Sequence, residues 1–226
     1  MIKKAGNKVI ILVNTGTPDS FKTKDVRKYL SEFLNDKNVI DIPWLWRKLL
    51  VNLIIVPFRA PKSAALYRKL WTENGSPIRF YTENLVMKLN KATGDDVTFF
   101  YAMRYGEPSI KEVLEKVRSQ QPDEIIILPV FPQFASSTTG SVTECVMSAT
   151  RTWSGQPKIR VIDQFYDNEA FINAFTKKIT FYNPEEFDHI LVYRHQVYLS
   201  LIAVDATSRE HGVGFALMKE AIRHSM

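Results

Sequence analysis

The chain has 226 residues, of which 45% are hydrophobic and 24% charged, the balance of an ordinary globular protein with a sizeable core. Its formal net charge of +6 suits an acidic partner such as anionic lipid or a carboxylate or phosphate ligand, but the basic residues are scattered without a long cationic run, which argues against nucleic acid. The lone Cys145 excludes an internal disulfide framework and a cysteine-rich metal site, and fits a reducing, cytoplasmic compartment.

The first apolar run, KVIILVN (8–14), lacks a small-residue cleavage site and reads as a buried strand rather than a signal peptide. It ends at TGTPDS, and Asp25 or Thr23 is placed to cap a helix from about Val26 to Leu34. The segment 42–71 is rich in Trp, Leu and Ile with interspersed Arg and Lys. It reads either as two core helices or as an apolar lip facing a flat ligand or a membrane surface, with Pro57 and Pro61 expected to break any single long helix. Its apolar part is shorter than the ~20 residues that span a bilayer.

Further strands are predicted at 96–106, 123–134, 158–165 and 187–195. Helices are predicted at 109–120, with Ser109 as N-cap and Ile110, Val113, Leu114 and Val117 on one face, and at 169–182. Apolar strands alternating with helices imply a parallel sheet covered on both faces. Ligands in such sheets sit beyond the carboxyl ends of the strands. The special residues cluster at those ends: Asn14 to Asp19, Arg104 to Gly106, Pro132 to Ser141, and His195.

Four motifs occur in order: LVNTGTPDS, NGSPI, AMRYGEPSI and LPVFPQFASSTTGS. With RAPKSAALY between the first two, they make residues 8–192 resemble ferrochelatase, which inserts ferrous iron into protoporphyrin IX. The resemblance implies a chelatase-like, Rossmann-type three-layer α/β fold, here truncated. Ferrous iron is implied as substrate metal, with no organic cofactor. A porphyrin is a flat apolar disc with carboxylate tails, so its site needs an apolar slot and cationic or hydroxyl groups at the rim. Metal entry also needs a base to take the pyrrole protons.

The resemblance places Thr15 beneath the ring and Arg104 and Tyr105 at the pocket floor. Arg59 and Lys62 fall on a mobile lip, where the alternative is solvated surface charge. For Arg104 the alternative is an ordinary strand-end ion pair. Ser136, Ser137, Thr138 and Thr139 form a hydroxyl-rich turn that either meets a carboxylate through free N–H groups or serves as a plain helix cap. His195 falls in the column of the family's proton or metal acceptor, but the Gly and Pro expected after it are missing, so it is either that group or a coincidence beside a join. His189 reads as structural. Peripheral contact with the inner face of the membrane is expected through residues 43–58.

After His195 the family's pattern stops, and its second α/β half is not expected in this chain. The tail, Tyr198–Val204 with the turn Arg209, Glu210, His211, Gly212, Val213, Gly214 and a helix to about His224, resembles the acetyl-CoA motif of GCN5-related N-acetyltransferases. That resemblance implies pyrophosphate contacts at Arg209, Gly212 and Gly214, with acetyl-CoA as ligand. The expected organisation is therefore a ferrochelatase-like domain over 1–192 and a strand-turn-helix fragment over 193–226. The alternatives to iron insertion are an acetyltransferase fragment and a non-catalytic porphyrin-binding remnant.

Overall fold

The computed structural model describes residues 8–93, 97–155, 157–181, 189–195 and 198–204. They fall into two compact units, Met1–Gln164 and Phe165–Met226.

The first unit is built on β1 (Lys8–Gly16), β2 (Val97–Tyr105), β3 (Glu124–Pro129) and β4 (Lys158–Val161), hydrogen-bonded in the order β2-β1-β3-β4. All the pairings are parallel, as the uninterrupted apolar runs predict. Val9, Ile11 and Val13 of β1 and Ile125 and Ile127 of β3 alternate onto one face. There they meet α5 (Ile110–Arg118) and α6 (Ser141–Thr150) through Ile110, Val113, Leu114, Val117, Val142 and Val146. The predicted stripe of α5 is thus its core face. Its N-terminus is a full capping box, with Ser109 accepting from the Glu112 N–H and Glu112 reaching back to the Ser109 N–H.

A second cluster joins α1 (Thr23–Leu34) to the helix that follows it, through Val26, Tyr29, Leu30, Val51, Val56, Ala60, Ala64 and the ring of Tyr105. No side chain caps α1: Lys22 holds the N-cap position, and Asp25 accepts instead from the Ser20 hydroxyl. The expectation of a cap at Asp25 or Thr23 is corrected accordingly.

The segment after Pro43 is one continuous helix, not two. It comprises α2 (Trp44–Leu49), a π-helical stretch (Leu50–Ile55) and α3 (Val56–Leu70). The Val56 N–H bonds back to the Val51 carbonyl, so the ladder has already slipped to the wider spacing where Pro57 enters. The ring then meets a displaced carbonyl rather than the close one of a regular turn. Pro61 is held inside the helix, so neither proline breaks it. The helix base is tied by the buried Arg47, whose Nη1 donates to the carbonyls of Ile40 (3.2 Å) and Ile42 (2.9 Å).

One helix that composition alone did not delimit, α4 (Pro77–Ala92), packs against β1 and β2. Asn90 near its end spans the free edge of β2. Its side-chain amide donates to the Phe99 carbonyl (2.9 Å) and accepts from the Phe99 N–H (2.8 Å).

In the second unit α7 (Glu169–Phe181) is the predicted helix, with Phe171 in ring contact with Phe165 and Phe175. β5 (His189–His195) pairs antiparallel with β6 (Tyr198–Val204). The expectation that 187–195 continues a parallel sheet is therefore corrected. Only two residues separate β5 from β6, and so short a connection permits an antiparallel pair alone.

Gly16 sits at φ +110°, and a methyl group on it would overlap the carbonyl oxygen of Tyr105 on the neighbouring strand. Gly16→Ala should cost roughly 3–5 kcal/mol of stability, read as a lower urea midpoint at unchanged slope.

Candidate functional site

β1 and β2 run side by side with Asn14 opposite Met103 and Gly16 opposite Tyr105. Thr15 and Arg104 therefore stand between these pairs, at the carboxyl end of the sheet. The adjoining connections are pinned to the same end. The Ser76 hydroxyl, at the N-terminus of α4, donates to Thr17 Oγ1 at 2.8 Å in a buried pair. Asn14 donates to Thr82 Oγ1 at 3.1 Å. The Cβ of a residue replacing Gly106 would lie 2.7 Å from the Thr17 carbonyl, so this corner closes only around glycine.

The most connected group is Asp36, in the turn that follows α1. Its Oδ2 accepts from Arg104 Nη2 (2.6 Å), from the Tyr105 hydroxyl (2.8 Å) and from the Ser141 hydroxyl, while Oδ1 accepts from the Asn38 N–H (2.7 Å). Arg104 Nε also donates to the Ser141 hydroxyl at 2.7 Å, and the guanidinium lies 4.5 Å from the centre of the Tyr105 ring. Burial alone would raise the Asp36 carboxyl above its ordinary range. The Ser141 hydroxyl, the Asn38 N–H, the Tyr105 hydroxyl and the Arg104 charge together outweigh it and hold the group below that range. Burial pushes the Tyr105 phenol well above its usual value, so it serves as a neutral donor.

Of the residues singled out in the sequence, the structure brings Thr15, Arg104, Tyr105 and the 136–140 turn to one place. Tyr105 is 1% exposed and its hydroxyl is committed to Asp36, so it lies enclosed in the packing behind the sheet end rather than on an open floor as the resemblance implied. Arg104 forms the strand-end ion pair and still leaves Nη1 without a protein partner among the described residues.

Ser136–Gly140 form a π-helical turn opening α6. None of the four hydroxyls caps it: the Thr138 and Gly140 N–H groups bond to the Ala135 carbonyl, which also accepts from Thr138 Oγ1. The Ser136 and Ser137 hydroxyls make no hydrogen bond among the described residues, and the fully buried Thr139 hydroxyl lacks a partner as well. The turn therefore carries more polar capacity than helix capping uses.

Arg59 and Lys62 stand exposed on α3, outside this hydrogen-bonded cluster. The same helix exposes Trp44 (64%), Trp46 (66%), Leu53 (66%) and Phe58 (75%) while it buries Val51, Val56, Ala60 and Ala64, so residues 42–71 carry an exposed apolar surface as well as a core face. By length and composition alone, Trp44–Leu70 also meets the test for a helix able to cross a membrane. His189 and His195 begin and end β5, in the second unit. Arg209, Gly212 and Gly214 lie outside the described residues. Among the described residues no three His, Cys, Asp or Glu side chains are grouped to hold a metal ion.

Sequence reasoning missed Asp36, and it placed Ser141 only as the last residue of the polar cluster 132–141, without a role. The Asn-Asp pair in FLNDKN reads as a turn signal, and nothing local shows that its carboxylate reaches side chains 68 and 105 residues away.

Comparison with known proteins adds independent findings. The family model described as Ferrochelatase matches residues 7–212, past residue 192 and through both strands of the β5–β6 pair. The chain is 40% identical over 188 residues to a ferrochelatase of Legionella pneumophila (strain Corby), covering 83% of this chain and 56% of the relative. It is 42% identical over 179 residues to one of Francisella tularensis subsp. tularensis (strain WY96-3418), covering 78% of this chain and 53% of the relative. The chain thus spans about half the length of the curated relatives it matches.

Replacing Asp36 by Ala leaves the half-buried Arg104 guanidinium without its counter-ion and the buried Tyr105 and Ser141 hydroxyls without their shared acceptor, and should cost about 3 kcal/mol at pH 7. A carboxyl whose pKa is lowered by folding stabilises the protein above its unfolded value of about 3.9 and loses that contribution as pH falls through the lower folded value. The wild-type advantage in urea unfolding should therefore be full at neutral pH and shrink in strong acid.

Proposed function

Because the chain belongs to the ferrochelatase family, we propose that it serves that family's reaction, the insertion of ferrous iron into protoporphyrin IX to make haem. The observation that carries this reading is the convergence of Thr15, Arg104 and the Ser136–Thr139 turn at the carboxyl end of one parallel sheet, the position at which such sheets bind ligands. Thr15 lies beneath the ring, and the Arg104 Nη1 and the hydroxyls of Ser136 and Ser137 offer donors at its edge. Tyr105 acts indirectly, by holding the carboxylate that holds Arg104. Arg59 and Lys62, exposed on α3, meet the porphyrin carboxylates at the rim. His195 is assigned the removal of pyrrole protons and the handling of ferrous iron. The metal enters the macrocycle as the two pyrrole N–H protons leave to base and solvent.

The exposed apolar side of Trp44–Phe58 supports a second element of the reading, peripheral attachment to a membrane at its cytoplasmic face. An apolar substrate and product are more soluble there than in water. The tail residues Arg209, Gly212 and Gly214 keep the alternative reading of acetyl-CoA binding, which calorimetry with acetyl-CoA tests; absence of heat at millimolar ligand removes it.

Porphyrin-dependent uptake of zinc or ferrous iron by the purified chain tests the main reading. The chain spans about half of its relatives, and positioning contributes ~7–11 kcal/mol to favourable reactions. Turnover should therefore be detectable only weakly, and should vanish in Arg104→Ala. Turnover equal to that of a full-length relative would contradict the expected deficit, and failure to bind porphyrin would sink the reading. For the membrane, Leu53→Ser combined with Phe58→Ser should weaken co-sedimentation with vesicles at least about tenfold, from the apolar area removed.

A further inference from the structure

We infer that Asp36 is a positioning residue of the tetrapyrrole site, one that sets Arg104 in a single orientation and ties the hydroxyl turn to the sheet. The inference rests on the porphyrin reading above and adds to it a residue that does not itself touch the ligand. Its ground is a set of contacts shared among distant segments. A carboxylate whose side chain is 4% exposed takes Arg104 Nη2, the Tyr105 hydroxyl and the Ser141 hydroxyl on one oxygen, and the Asn38 N–H on the other.

Ser141 in turn accepts from Arg104 Nε. The guanidinium is therefore gripped along one side, by Asp36 at Nη2 and by Ser141 at Nε, with the Tyr105 ring beside it. Nη1 is what remains. A free arginine would swing its whole fork toward any anion, whereas this one presents a directed donor with its charge largely neutralised by Asp36.

The same carboxylate fixes a second object. Ser141 directly follows the Ser136–Gly140 turn, so its bond to Asp36 sets how far the unpartnered hydroxyls of Ser136 and Ser137 stand from Arg104. A structural tether alone would stabilise the fold without affecting how a ligand is held. A positioning role predicts that folded variants bind badly.

The test is titration of protoporphyrin IX into the wild-type chain and into Asp36→Asn, with affinity and Soret maximum read at a temperature where both show the same circular dichroism. Asparagine keeps the shape and loses the charge. The expected result is affinity about tenfold weaker, the size of one lost charge-assisted hydrogen bond, with a Soret maximum moved toward that of unbound porphyrin. If Asp36→Asn does not fold, Ser141→Ala, which removes the hydroxyl that Nε meets at 2.7 Å and one donor to the carboxylate while leaving the Ser141 carbonyl 3.2 Å from Nε, should shift both readouts in the same direction. Affinity that is unchanged or tighter, with the wild-type Soret band, would overturn the inference while leaving the porphyrin reading in place. A wild-type chain that binds no porphyrin would overturn both.

Discussion

The Asp36 carboxylate accepts hydrogen bonds from a guanidinium, a phenol, a serine hydroxyl and a backbone amide in a place nearly closed to water. A buried charge pair gains little net energy over an apolar replacement, because desolvation offsets the attraction. What it supplies is geometry: the donors come from the end of β2, the start of α6 and the carboxylate's own turn, and the oxygens accept them together only if those stretches meet in one arrangement. The turn after α1, the end of β2 and the start of α6 are held in register by one side chain. A shift in any one of them leaves a desolvated donor unpaired.

The packing around this hub admits almost no slack. Gly16 runs against the Tyr105 backbone and Gly106 against the Thr17 backbone, so the β1 and β2 ends approach as closely as their main chains allow. The Tyr105 ring fills the space beneath, edge-on to Phe33 at 5.1 Å between centroids and packed with α1 and α3. Polar groups at the sheet end are thus mounted on close-packed backbone, which is the condition for side chains to hold a shaped ligand rather than follow it.

Much of the first unit was legible in the sequence because its signals are local. The apolar run at 8–14, the strand within 123–134 (which ends already at Pro129), the stripe of Ile110, Val113, Leu114 and Val117, and Ser109 as N-cap each describe an environment that a few neighbouring residues establish. The misreadings have equally physical causes. Pro57 and Pro61 signal a break under regular helical geometry, and the π-helical stretch changes that geometry. The run 187–195 has the apolar character of a parallel strand, yet its partner is decided by the length of the next connection. At the site, Arg104 and the hydroxyl turn with Ser141 stood out through motif, whereas Asp36 is an ordinary turn residue made special by partners far along the chain.

The clasp of Asn90 on Phe99 bears on self-association. An outer strand with bare amides and carbonyls invites another chain to add on as an extra strand, the first step toward swapped dimers and fibrils. Here one side-chain amide already occupies the Phe99 N–H and carbonyl that such an incoming strand would need. The β2 border of the sheet is closed at Phe99, and growth through that position would first have to pull the end of α4 away.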